Sequence, residues 1–128
     1  VTYMTWFNAP EDQKSRTRAA EKIWRRAARL TLDGDYYPLT ECRKNTADWY
    51  VCQFDDSDNS RGFIQFIRNY ASPDEEFTAK MKITDGKTYI FENSNTGEKF
   101  EMTSDELKNG FTVSIPKRSG VVFFYETK

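Results

Sequence analysis

"GDYYPLT", Gly34 to Thr40, separates two periodicities in the chain. Before it, from Pro10 to about Leu32, runs "PEDQKSRTRAAEKIWRRAARLTL". Ala20, Ile23, Trp24, Ala27 and Leu30 recur there at three- and four-residue spacing, the stripe of a helix with one apolar face. Pro10 suits a first helical turn, and Glu11 and Asp12 stand where the helix dipole favours acids. Arginines crowd the second half, as a helix C-terminus prefers. Gly34 is expected to close the helix in the left-handed conformation, and Pro38 prevents a restart. At 1.5 Å per residue such a helix is about 34 Å long.

Beyond Asp48 the period falls to two. "FTAKMKIT" alternates Phe77, Ala79, Met81 and Ile83 against Thr78, Lys80, Lys82 and Thr84, which predicts a strand with one wet face. "KFEMT", "FTVSIP" and "VVFFYET" follow similar rules. "WYVCQFD" and "GFIQFIR" are apolar on both faces and are expected at the centre of a sheet. "DSDNS", "TDGK", "NTGE" and "KRSG" carry turn chemistry between them. Six or seven strands spaced this closely predict an antiparallel β-sandwich of Greek-key type behind one long N-terminal helix. Phe77, Met81, Ile83, Phe111, Val113 and Ile115 are the expected core between its two sheets.

The 128 residues suffice for one domain with a real core. Nineteen Lys and Arg nearly cancel 20 Asp and Glu, so net charge points neither to nucleic acid nor to an acidic membrane surface. No apolar run approaches the roughly 20 residues of a membrane span. The first residues lack the pattern of a signal peptide, which leaves open one outside this sequence. Cys42 and Cys52 form no framework of bridges. Cys52 reads as a small buried apolar group, and a bond between the two is the less favoured alternative. With no N-x-[ST] acceptor either, the compartment stays open.

Most catalytic constellations fail on composition. Without histidine, Ser-His-Asp and Cys-His catalysis and the common zinc sites are excluded. "SDN" at Ser57–Asn59 and "SIPK" at Ser114–Lys117 imitate penicillin-binding signatures in the wrong order. Asp55, Asp56 and Asp58 suggest calcium, but counting from Asp56 the loop's glycine and bidentate glutamate positions hold Arg61 and Ile67. Acids that could form a glycosidase pair (Asp74, Glu75, Glu76, Glu101, Asp105, Glu106) fall in turns or on polar strand faces. Lys14, Arg16, Arg18, Lys22, Arg25, Arg26 and Arg29 make the helix basic, which reads as a solvated or interdomain face. No catalytic, cofactor-binding or metal-ligating residue is therefore assigned, and no cofactor is expected. Tyr36, Tyr37, Trp49 and Tyr50 are either a sugar-stacking platform or the filling of a joint between helix and sheet. The pattern favours the joint.

These motifs together resemble one family. The series Gly34-Asp35-Tyr36-Tyr37-Pro38-Leu39-Thr40, Asp48-Trp49, Gln53-Phe54-Asp55, Gly62-Phe63 and Arg68 is similar to the end of a family 36 glycoside hydrolase, a melibiase-type α-galactosidase. Tyr89 through "NTGE", Leu107, Gly110, "VSIP" and Tyr125 are similar to the closing strands of its C-terminal β-sandwich. Glu41, where proline is expected, and Cys52, where tryptophan is common, depart from the pattern. In such enzymes a (β/α)8 barrel carries two aspartates for retaining hydrolysis. Their motifs are not in this sequence, so no catalytic role carries over.

The resemblance implies that residues 1–33 continue the end of a catalytic barrel, 34–47 form a connecting corner, and 48–128 form a C-terminal β-sandwich. The expected role is a non-catalytic domain that brace-packs the barrel of the same parent chain and contributes to subunit contacts. A carbohydrate-binding module is the alternative, and a structural adhesion-type sandwich comes third. The helix stripe, with Trp6 and Phe7, would meet the barrel. Left uncovered, it predicts self-association, unless the helix folds back over its own sandwich. Neither nucleic acid nor membrane is an expected partner.

Overall fold

A computed structural model of the chain describes residues 9–41 and 47–128. Helix α1 (Glu11–Asp33) precedes strands β1 (Asp35–Pro38), β2 (Trp49–Asp55), β3 (Arg61–Arg68), β4 (Glu76–Ala79), β5 (Thr88–Asn93) and β6 (Lys99–Thr103). A short helix, α2 (Ser104–Asn109), then leads to β7 (Phe111–Ser114) and β8 (Ser119–Thr127). Six strands form one sheet in the order β1-β2-β3-β8-β5-β6, and β4 pairs with β7 in a second. Every pairing is antiparallel. The return of β8 to lie beside β5, with β7 across the gap, is the Greek-key connection. The expected mainly-β sandwich behind one long helix is the observed architecture.

Alternation sorts the side chains of the large sheet onto two faces. Val51, Ile64, Phe66, Tyr89, Phe91, Val121, Phe123 and Tyr125 point inward and meet Ala79, Met81, Phe111 and Val113 from the second sheet side. Of the six expected core residues, Met81, Phe111 and Val113 are buried, while Phe77, Ile83 and Ile115 are half-buried against the same cluster. β2 and β3, apolar on both faces, lie inside the sheet with a strand on each side. Their outer residues Phe54 and Phe63, with Val122 and Phe124 of β8, receive Ile23, Ala27 and Leu30 of α1. The helix therefore folds back on its own sheet. Arg26 fastens it there, pairing with Glu92 at 2.9 Å and standing 4.0 Å over the Phe124 ring.

The apolar stripe of α1 is nevertheless split. Trp24 remains 66% exposed and Ala20 is exposed too, because only the 23/27/30 line faces the sheet. Trp6 and Phe7 lie outside the described residues, as does Cys42. Cys52 is a buried free thiol.

Local expectations need four further corrections. Gly34 is extended (φ −95°, ψ 173°), not left-handed, because the chain leaves the helix directly into β1. Glycine is needed there for space: a Cβ would lie 2.5 Å from the carbonyl oxygens of Leu30 and Asp55. Asp35–Pro38, inside the expected corner, pairs with Cys52–Asp55 as an edge strand. "FTAKMKIT" keeps its alternation of burial, yet its ladder ends at Ala79. Asp105 and Glu106 stand in the first turn of α2, not in a simple turn. Thr103 and Glu106 cap that helix reciprocally, a Thr-x-x-Glu box that was legible in "TSDE".

Candidate functional site

The densest polar chemistry inside the sandwich is built from Gln53, Asp55, Asn59, Tyr89 and Tyr125. Period two on β2 turns both Gln53 and Asp55 to the inner face, and both are buried. Tyr125 of β8 reaches the same point and donates its hydroxyl hydrogen to Asp55 Oδ2 at 2.6 Å. Gln53 Nε2 donates to the Tyr125 hydroxyl at 2.7 Å and to the Lys82 carbonyl at 2.9 Å. Gln53 Oε1 in turn accepts from the Lys82 backbone N–H at 2.8 Å. The side-chain amide thus takes the place of a strand for Lys82. This explains why residues 81–83 keep strand-like alternation without a ladder.

A second layer ties in the β2–β3 turn. Asn59, held in the left-handed region at φ 57°, donates to Asp55 Oδ2 and accepts from the Tyr89 hydroxyl. Thr84 donates its hydroxyl to the same Asn59 oxygen at 3.0 Å and its backbone N–H to Tyr89 at 2.8 Å. Gly62 makes room for the arrangement, since a Cβ there would stand 2.5 Å from the Tyr125 hydroxyl oxygen. Burial pushes the Asp55 carboxyl above its usual range; the Tyr125, Asn59 and Gln53 donors oppose this, and the neighbouring Asp56 charge adds to it. Burial and then the Asp55 acceptor push the Tyr125 phenol far up, so it stays protonated and donates. Asp55 Oδ1 has no hydrogen-bond partner.

The network holds strands together and does not face a cleft. A groove of about 560 Å³ between α1 and the sheet is lined by Gly62, Tyr125 and Asp56, but not by Asp55. Asp55 is the single buried carboxylate among the described residues. Asp74, Glu75, Glu76, Glu101, Asp105 and Glu106 are all exposed. Retaining hydrolysis needs two carboxyl groups about 5–5.5 Å apart across one substrate, and these acids do not converge on a common cleft with Asp55.

The other candidate constellations separate in the same way. Asp55 turns inward, Asp56 pairs with Arg61, and Asp58 Oδ1 accepts the Ser60 backbone N–H at 3.0 Å. Among the described residues no group of three or more Cys, Asp or Glu side chains is placed to hold a metal ion. The four aromatics of the possible sugar platform fall on both faces of the sheet. Trp49 is buried, stacks on Phe77 at 5.7 Å and donates its indole N–H to the Asp74 carbonyl. Tyr36 and Tyr50 lie on the outer face, exposed, with hydroxyl oxygens 3.1 Å apart. Tyr37 is half-buried under Lys82. Arg68 is buried and spans the core edge, donating to the carbonyls of Ile115 and Ser72.

No protein-family profile matches the chain. No curated protein matches it either. Solved structures do. Over 94% of its length the chain is similar to the GH36 α-galactosidase AgaA of Geobacillus stearothermophilus in complex with raffinose, with a TM-score of 0.66 and 17% identity. The same enzyme in complex with 1-deoxygalactonojirimycin matches equally well. The galactosidase domain of the α-galactosidase–sucrose kinase AgaSK matches with a TM-score of 0.66 at 7% identity.

The fold is that of a domain found within family 36 α-galactosidases. The chain spans only 16% of AgaA and 17% of the AgaSK galactosidase domain. At such identities the likeness is one of backbone. Gln53, Asp55, Gly62, Arg68, Tyr89 and Tyr125, scattered through the sequence motifs, are the residues that the sandwich assembles into its buried polar ties. Sequence reasoning found these positions as a resemblance. It missed Asn59 and the backbone of Lys82, whose role depends on a turn and a loop meeting across the core.

Proposed function

We propose that this chain is the non-catalytic C-terminal β-sandwich domain of an α-galactosidase-like glycoside hydrolase, and that it braces the catalytic barrel of the same parent chain. The observation that carries the reading is the match of 94% of this chain to only 16% of AgaA. Two features support it. The motif residues form internal hydrogen bonds, which suits a rigid support. The N-terminal half of α1 stands clear of the sandwich, since residues 11–22 are exposed apart from half-buried Lys14. A helix that packs only its second half on the sheet leaves the first half to an adjoining body. The deciding test is the reading frame before Val1. A (β/α)8 barrel carrying two active-site aspartates supports the proposal, and a preceding domain of another class overturns it.

A further inference from the structure

We propose that the outer face of the large sheet, at the edge of α1 where Ile23 enters the lining, carries a binding site for a neutral carbohydrate, centred on Tyr70 and Arg118. A groove of about 630 Å³ opens there, within the roughly 300–1,000 Å³ range of small-ligand sites. Tyr70 is 53% exposed at its rim. The Arg118 guanidinium stands 5.5 Å from the Tyr70 ring centre, which orients the ring. Arg118 holds a left-handed backbone at φ 58°, a conformation that is strained for a residue with a side chain. Glycine lies two positions on, at Gly120, so the strained position is occupied by arginine although a turn glycine would relieve it.

The rest of the lining decides the ligand class. Gln65 brings a side-chain amide, Asn69 and Asn95 leave their side-chain oxygens to accept while their Nδ2 groups donate to the Asp48 and Gly120 carbonyls, and Ile67 supplies an apolar floor. Amides both donate and accept, as vicinal hydroxyls require, and a tyrosine ring offers a face to sugar C–H groups. The Ser94 hydroxyl, in the same lining, has no hydrogen-bond partner. No carboxylate lines the groove, and its other cation, Arg68, is turned inward to backbone carbonyls. A single outward cation is too little for a phosphorylated ligand. The other groove beside α1, lined by four acids and five cations, differs in kind. The site also differs from the sugar platform that the sequence left as the less favoured alternative, in which Trp49 is buried and Tyr37 belongs to the opposite face.

This inference goes beyond the bracing role and does not depend on it. Titration of the 15N-labelled chain with raffinose, melibiose and glucose, followed by amide chemical shifts, tests it. Saturable shifts around Gln65–Tyr70 and Asn95, with a dissociation constant on the order of 1 mM, are expected. Tyr70→Ala should weaken binding at least tenfold at an unchanged melting temperature, and Arg118→Gly should weaken it while leaving the fold intact. Inorganic phosphate should compete poorly. Absence of saturable shifts with all three sugars overturns the proposal, as does undiminished binding in folded Tyr70→Ala or tighter binding of phosphate than of sugar.

Discussion

Asp55 and its partners concentrate the energetic risk of the fold in one place. Three donors converge on Oδ2 while Oδ1 has none, so the carboxylate is only half-satisfied in a buried setting. Removing one donor from such a group costs about 1–3 kcal/mol. Tyr125→Phe should therefore destabilise the chain by about that amount in urea unfolding, although the ring still fills its space. The pH dependence has a definite sign. Asp55 has a raised pKa in the folded state, so its contribution is fully present below the unfolded value and is lost as pH rises through the folded one. Relative to wild type, Asp55→Asn should accordingly gain stability from pH 4 to pH 8. A difference in melting temperature that moves the other way would mean that the hydrogen bonds outweigh burial. Gly62→Ala tests the same cluster sterically. Its Cβ would strike the Phe54 backbone carbonyl as well as the Tyr125 hydroxyl, and overpacking of this kind costs about 1–3 kcal/mol.

At the scale of elements, α1 is held along one line only. Leu30 is buried against Phe63 and Phe124, and Trp24, six residues earlier, faces away. A charge at Leu30 would be buried without a partner, whereas a charge at Trp24 would meet water. Leu30→Glu should lower the melting temperature markedly. Trp24→Glu should change stability by no more than about 0.5 kcal/mol. Equal effects of the two would show that the helix packs by another face. Across the core, Phe111 of β7 stacks on Phe91 at 5.1 Å and meets Phe66 and Phe123 edge-on. Truncation of a buried Phe to Ala costs about 3–5 kcal/mol. Phe111→Ala should fall in that range, and an unmoved melting temperature would mean that the two-stranded sheet does not close the core.

For the whole molecule, the expectation is a support that does no chemistry of its own. The purified chain should hydrolyse an aryl α-galactoside no faster than buffer, and steady turnover surviving removal of contaminating enzyme would overturn the proposed role. Trp24 and Leu32, 66% and 83% exposed on α1, leave apolar surface for a neighbouring body. Light scattering should show concentration-dependent association that Trp24→Glu abolishes without unfolding. A wild type that stays monomeric across the same range would show that this surface is too small to bind a second copy.

Periodicity in the sequence was enough for the long helix, the change to strands and the inward face of residues 77–83, because alternation is a local property of a pleated or helical backbone. It was also enough to place β2 and β3 inside the sheet, since strands apolar on both faces must be covered on both. What Gly34 does was not legible: its extended backbone follows from the direct passage into β1, and half of its need for space comes from the carbonyl of Asp55, which is 21 positions away in sequence. Nor was the split of the α1 stripe, because which residues of a stripe are buried depends on the angle at which the helix crosses the sheet. Asp55 looked like one acid of a turn and proved to be the centre of the buried network. Only folding brings Tyr125 to it, through the pairing of β3 with β8 that sets Gly62 opposite Tyr125.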